Sequence, residues 1–102
     1  MIYHLVLLKV RRDVPKKEVE RVFAELAALR KKIPGLQSYA GGPYSSPEGF
    51  NKGHTHGFVM TFQDAKARDA YLPHPEHEKV KKSVVAILEG GIEGGVAVDF
   101  EA

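Results

Sequence analysis

Residues 2–10, IYHLVLLKV, carry an apolar or imidazole side chain at almost every position. Ile2, His4, Val6 and Leu8 fall on one face of an extended chain, and Tyr3, Leu5 and Leu7 on the other. A strand apolar on both faces is expected at the centre of a sheet. Asp13, Val14 and Pro15 then supply a helix start. Val19, Val22, Phe23, Leu26, Leu29 and Ile33 recur at the spacing of one helical face, which predicts a helix over about 15–32. Pro34-Gly35 ends it, and Leu36 to Ala40 reads as a short strand running into Gly41-Gly42-Pro43. The segment PYSSPEGFNKG, residues 43–53, is turn-forming and would make the rim of a site.

Residues 54–62 alternate His56, Phe58, Met60 and Phe62 against Gly57, Val59 and Thr61, a second candidate for a central strand. Asp64 can cap a short helix that runs through Tyr71 and stops at Leu72-Pro73. His74-Pro75 opens another, predicted to reach about Glu89 before Gly90-Gly91. A last strand over about 95–101 alternates Val96, Val98 and Phe100 against Ala97, Asp99 and Glu101.

The resulting order, β-α-β-β-α-β with a divided second helical region, is an α+β ferredoxin-like pattern. It predicts a four-stranded antiparallel sheet with the helices on one face. The helices cannot cover the second apolar face of the central strands. A homodimer with two sheets face to face is therefore expected.

At 102 residues the chain is expected to be a single domain, 1–102, and its 43% hydrophobic and 27% charged residues are an ordinary globular mixture. Without cysteine, neither a disulfide framework nor a thiol nucleophile is available. No apolar run approaches the roughly 20 residues of a membrane span, so no membrane partner is expected and the location is read as cytoplasmic. The net charge of +2 is spread among interspersed signs, which argues against a nucleic-acid partner.

Chemistry concentrates in the histidines at 4, 54, 56, 74 and 77. On the last helix His77 shares a stripe with Val80, Val84 and Ile87 and should point at the sheet. His4 and His56 share strand faces with apolar residues. Tyr71 precedes the helix break, where its hydroxyl is expected to come within hydrogen-bonding reach of His77, directly or through one water. Should His4, His56, Tyr71 and His77 converge, they would make a proton-transfer site, because imidazole titrates near neutral pH and a phenol can donate. The alternative is a set of satisfied core groups. Adjacent antiparallel strands would hold His4 and His56 apart unless their register is offset. Asp99 should lie beside the start of the first strand, where it could orient His4 or remain an edge carboxylate in solvent. The pairs His54/His56 and His74/His77 are the only metal-like spacings. With no cysteine, and with Pro75 setting His74 at a helix boundary, no metal is expected.

The segments MIYHLVLLKV, IPGLQSYAGGPYSSPEG, HTHGFVMTF, RDAYLPHPEH and VAVDFE together resemble the stress-responsive α/β-barrel domain family over essentially the whole chain. The A-Y-L-x-H-P-x-H segment and the first-strand histidine are the most specific of these features. The resemblance implies ferredoxin-like protomers that pair into a dimeric α/β barrel. Activity in that family is mostly unassigned but includes a polyketide cyclase that works with tyrosine and histidine and without cofactor or metal. Carried over by motif, its site residues would be Tyr71, His77, His4 and His56, with His77 expected as the general base and Tyr71 as its partner. Two function classes stay open. One is a cofactor-free lyase or cyclase acting on a keto or polyketide-like compound. The other is a non-catalytic dimer that binds a small hydrophobic or keto ligand. A third, a relative of the dimeric-barrel monooxygenases, would be favoured by a bound haem or quinone.

Overall fold

The computed structural model describes all 102 residues. Its elements are β1 (Ile2–Leu8), α1 (Lys16–Lys32), β2 (Leu36–Pro43), β3 (His56–Phe62), α2 (Ala65–Tyr71), α3 (Pro75–Ala86) and β4 (Gly95–Glu101). A 3₁₀ turn, Gly91–Gly94, precedes β4. The strands form one antiparallel sheet in the order β2-β3-β1-β4, the ferredoxin-like arrangement, with β1 and β3 at its centre.

One sheet face packs against α1 and α3. Ile2, Leu8, Phe58, Met60 and Phe62 from the strands meet Val22, Leu26, Leu29 and Ile33 from the first helical segment and Val80 and Ile87 from the last. Burying each of these larger side chains contributes about 1.5–3 kcal/mol, which makes this layer the source of the fold's stability. The opposite face is left bare. Leu7, Val96, Val98 and Phe100 are all between 43% and 55% exposed, and Tyr3 stacks on Phe100 with ring centroids 5.2 Å apart.

Local chemistry adjusts the predicted boundaries. Asp13 pairs with Arg11 at 3.0 Å instead of capping, and α1 starts after Pro15 with no side-chain cap. Strand β2 runs on to Pro43, beyond the predicted Ala40, because β3 offers it partners as far as His56. Gly41 permits this approach, since a Cβ there would stand 2.8 Å from the Cβ of Phe58. Helix α3 stops at Ala86, short of Glu89. Leu88 leaves the helix to bridge with Val10, and the Ile87 carbonyl accepts the Arg11 N–H at 2.9 Å.

Three features fix α2 and the start of α3. The Asp64 carboxylate accepts the Ala67 N–H at 2.8 Å, and His74 Nδ1 accepts the Glu76 N–H at 3.1 Å. Gly35 sits at φ +86°, and a Cβ there would be 2.6 Å from that of Ala67, so the Pro34-Gly35 turn packs directly onto α2.

Candidate active site

His4 lies on the helix-facing side of β1, where the antiparallel register sets it opposite Asp99 of β4. Its Nδ1 stands 2.6 Å from Asp99 Oδ1, and Arg68 on α2 donates from Nη1 to Asp99 Oδ2 at 2.7 Å. Burial pushes the Asp99 carboxyl up, but the hydrogen bonds from His4 and Arg68 outweigh it and hold the group below the usual carboxylate range. Asp99 is thus an ionised acceptor, so His4 Nδ1 carries the proton and donates it. In the neutral ring Nε2 is left with a free lone pair.

Tyr71, the last residue of α2, is 1% exposed and meets the His4 ring edge-to-face at 6.1 Å. Burial raises its phenol, and the nearby Asp99 charge raises it further, so the hydroxyl stays protonated. His77 on α3 completes the cluster. Its Nδ1 donates to the Leu72 carbonyl at 2.9 Å, which again leaves Nε2 as the lone-pair nitrogen. Desolvation lowers the His77 pKa and favours the neutral imidazole. Tyr71 and His77 are in contact, as stacked rings with centroids 4.1 Å apart and without a direct hydrogen bond between them. The Leu72 carbonyl, released at the helix break, accepts the imidazole N–H instead.

His4, Tyr71 and His77 all line a cavity of about 320 Å³. Most of the remaining wall is apolar, including Leu26, Phe58, Val84 and Leu88, with Lys81 as the one side chain of fixed charge. Its size and lining suit a small organic ligand with few polar groups.

His56 does not join this cluster. The register pairs His4 with Met60 and Leu8 with His56, so four residues of strand rise, roughly 13 Å, separate the two imidazoles. Their antiparallel strands are not offset. His56 instead packs on Phe23 at 5.5 Å and bonds through Nδ1 to Thr55 Oγ1 at 2.8 Å, beside a separate groove of about 640 Å³. Desolvation lowers its pKa too. His54 is tied to the Asn51 carbonyl at 2.9 Å, and its loop borders the open sheet face, away from the His4 cavity. No group of three or more histidine, cysteine, aspartate or glutamate residues is placed to hold a metal ion, and no helix is long and apolar enough to cross a membrane.

Arg68 is the participant that sequence reasoning missed. Its signal was its position three residues before Tyr71, a spacing that sets both on one side of a helix.

The model of the Stress Responsive A/B Barrel Domain family matches residues 2–102. The chain belongs to this family. Among solved structures, a dimeric ferredoxin-like protein of unknown function from Jannaschia sp. CCS1 is 33% identical. That comparison covers 99% of this chain and 98% of the other, with a TM-score of 0.89. Olivetolic acid cyclase from Cannabis sativa is 25% identical over 76 residues, 74% of this chain and 75% of the cyclase. The hydroxynitrile lyase of Passiflora edulis shares the fold, with a TM-score of 0.87 at 18% identity over 97% of this chain and 90% of the lyase. One relative is thus named a cyclase and one protein of the same fold a lyase, while this chain's own site must carry the argument for its function.

Proposed function

We propose that the protein is a homodimeric, cofactor-free lyase or cyclase that acts on a small keto or polyketide-like compound by acid–base chemistry. The observation that carries this reading is the His4–Asp99 hydrogen bond, with His4 and the buried Tyr71 side by side on the wall of an apolar cavity. The Asp99 carboxylate on Nδ1–H fixes the tautomer and orientation of the His4 ring, so this reading places the base at His4 in place of the expected His77. His77, backed only by a peptide carbonyl and desolvated, serves as a neutral hydrogen-bonding wall.

In the proposed reaction His4 Nε2 removes a proton from carbon between two carbonyls, and the C–H electron pair moves onto a carbonyl oxygen as an enolate. The Tyr71 hydroxyl donates to that oxygen. The enolate carbon then attacks a second carbonyl of the same molecule, forming one carbon–carbon bond and an alkoxide. Return of the proton from His4 to the alkoxide restores the resting site with no net oxidation. The similarity to olivetolic acid cyclase supports this class of substrate. The bare sheet face, together with a 33% identical relative described as dimeric, supports the homodimer.

Deuterium uptake at the central carbon of ethyl acetoacetate tests the first step without knowledge of the natural substrate. The chelator-treated protein should accelerate it at least about 100-fold over equimolar free imidazole, a gain within reach of positioning and acid–base assistance. Binding without exchange would favour the non-catalytic ligand-binding reading.

A further inference from the structure

We propose that Lys81 is the specificity-determining residue of the His4 cavity and that the compound it selects is a keto acid, with its carboxylate on the Lys81 ammonium and its enolisable carbon at His4. The proposal rests on the reading of this cavity as the site of a keto compound. Lys81 is the only lysine or arginine on the cavity wall, and no aspartate or glutamate lines it. The placement follows from the helix. His77, Lys81, Val84 and Val85 stand at i, i+4, i+7 and i+8 on α3, which makes one helical stripe, and all four line the cavity. The Lys81 charge is also felt at the neighbouring imidazole: burial is the main cause that holds the His77 pKa down, and Lys81 adds to it.

This cation has no partner within the chain. Glu76 is held by Lys32 and Lys79, and Glu78, three residues before Lys81, makes no ion pair with it. Asp99, the carboxylate beside His4, is already bound to His4 and Arg68 and does not line the cavity. Lys81 is exposed as a residue, so its apolar stem follows the wall while the ammonium stays at the mouth in water. A carboxylate entering here meets one free cation and no anion on the wall. A phosphate monoester, with close to two charges near neutral pH, would leave one of them uncompensated. One helical turn separates His77 from Lys81, about 6 Å of rise, which sets the carboxylate within a few bonds of the enolisable carbon.

The test compares acetylpyruvate, a 1,3-diketone that carries a carboxylate, with its neutral methyl ester. Calorimetry on the intact protein gives the two affinities, and the ¹⁵N ring resonances of His4 and His77 report the site. The wild type should bind the acid about tenfold more tightly than the ester, the scale of one hydrogen bond to a charged group. Lys81→Met, which keeps an apolar stem, should bring the two within about twofold, and Lys81→Glu should turn the preference towards the ester. Lys82→Met removes the same charge from a neighbouring position that does not line the cavity, and it should keep the tenfold preference. Equal wild-type affinities, a preference that survives Lys81→Met, or an acid that leaves the His4 and His77 rings unmoved at millimolar concentration would each overturn the proposal. The readout is binding alone, so the two readings can fail separately. An acid preference that depends on Lys81, without exchange into ethyl acetoacetate, would support Lys81 as the selecting residue of a non-catalytic site, whereas exchange without that preference would leave the catalytic reading standing and overturn the role of Lys81.

Discussion

Replacing His4 with glutamine should slow deuterium exchange into ethyl acetoacetate about 100-fold or more, with the protein still folded and its oligomeric mass unchanged. General-base assistance by a positioned imidazole is worth about 10²–10⁴-fold, and glutamine keeps a polar side chain but offers no titrating lone pair. Tyr71→Phe, which removes the donor to the developing enolate oxygen, should cost about 100-fold as well. His77→Gln should cost no more than about tenfold, because His77 shapes the wall through its stack on Tyr71 and its bond to the Leu72 carbonyl. A reversed order, with His77→Gln more damaging than His4→Gln, would transfer the role of base to His77. His56→Gln should leave exchange within about twofold of wild type, because the sheet register holds that ring roughly 13 Å of strand away.

The second large effect concerns assembly. By light scattering the wild type should have about twice its chain mass of 11.3 kDa. Val98→Glu should reduce it to the chain mass. Val98 lies on the bare sheet face among Leu7, Val96 and Phe100, all about half exposed in the protomer. Two sheets meeting there would bring two copies of the new glutamate into an apolar interface, where an unpaired buried charge costs several kcal/mol. Lys31→Glu on the outer surface of α1 serves as the control and should keep the wild-type mass. A wild-type monomer at micromolar concentration would remove the basis for the barrel.

The fold was legible because its signals are local and repeated. The two-sided apolar pattern of residues 2–8 placed β1 at the sheet centre, and Asp64 and His74-Pro75 marked real helix starts. Boundaries were less legible where a tertiary contact competes with the local signal. Leu88 belongs by its pattern to the last helix, yet it pairs with Val10 across the sequence. The candidate site was legible in part. His4, Tyr71 and His77 lie on inward faces and share one cavity, which helix and strand periodicity can anticipate. Periodicity assigns a side chain to a face but not to a height along the strand, so the separation of His56 required the pairing register. Hydrogen-bond partners were the least readable. The stack of His77 on Tyr71 and the grip of Arg68 on Asp99 depend on how α2, α3 and β4 meet in space.

The most direct test of the central claim is to locate a bound enolate mimic among the five histidines. Titrating ¹⁵N-histidine-labelled protein with 2-acetyl-1,3-cyclohexanedione, a stable enolised triketone, should shift the ring resonances of His4 and His77 together and saturably. The rings of His54, His56 and His74 should stay in place, and chelator should leave the pattern unaltered. Saturable shifts centred on His56, with His4 and His77 unmoved, would contradict the account and place ligand recognition in the groove beside Phe23.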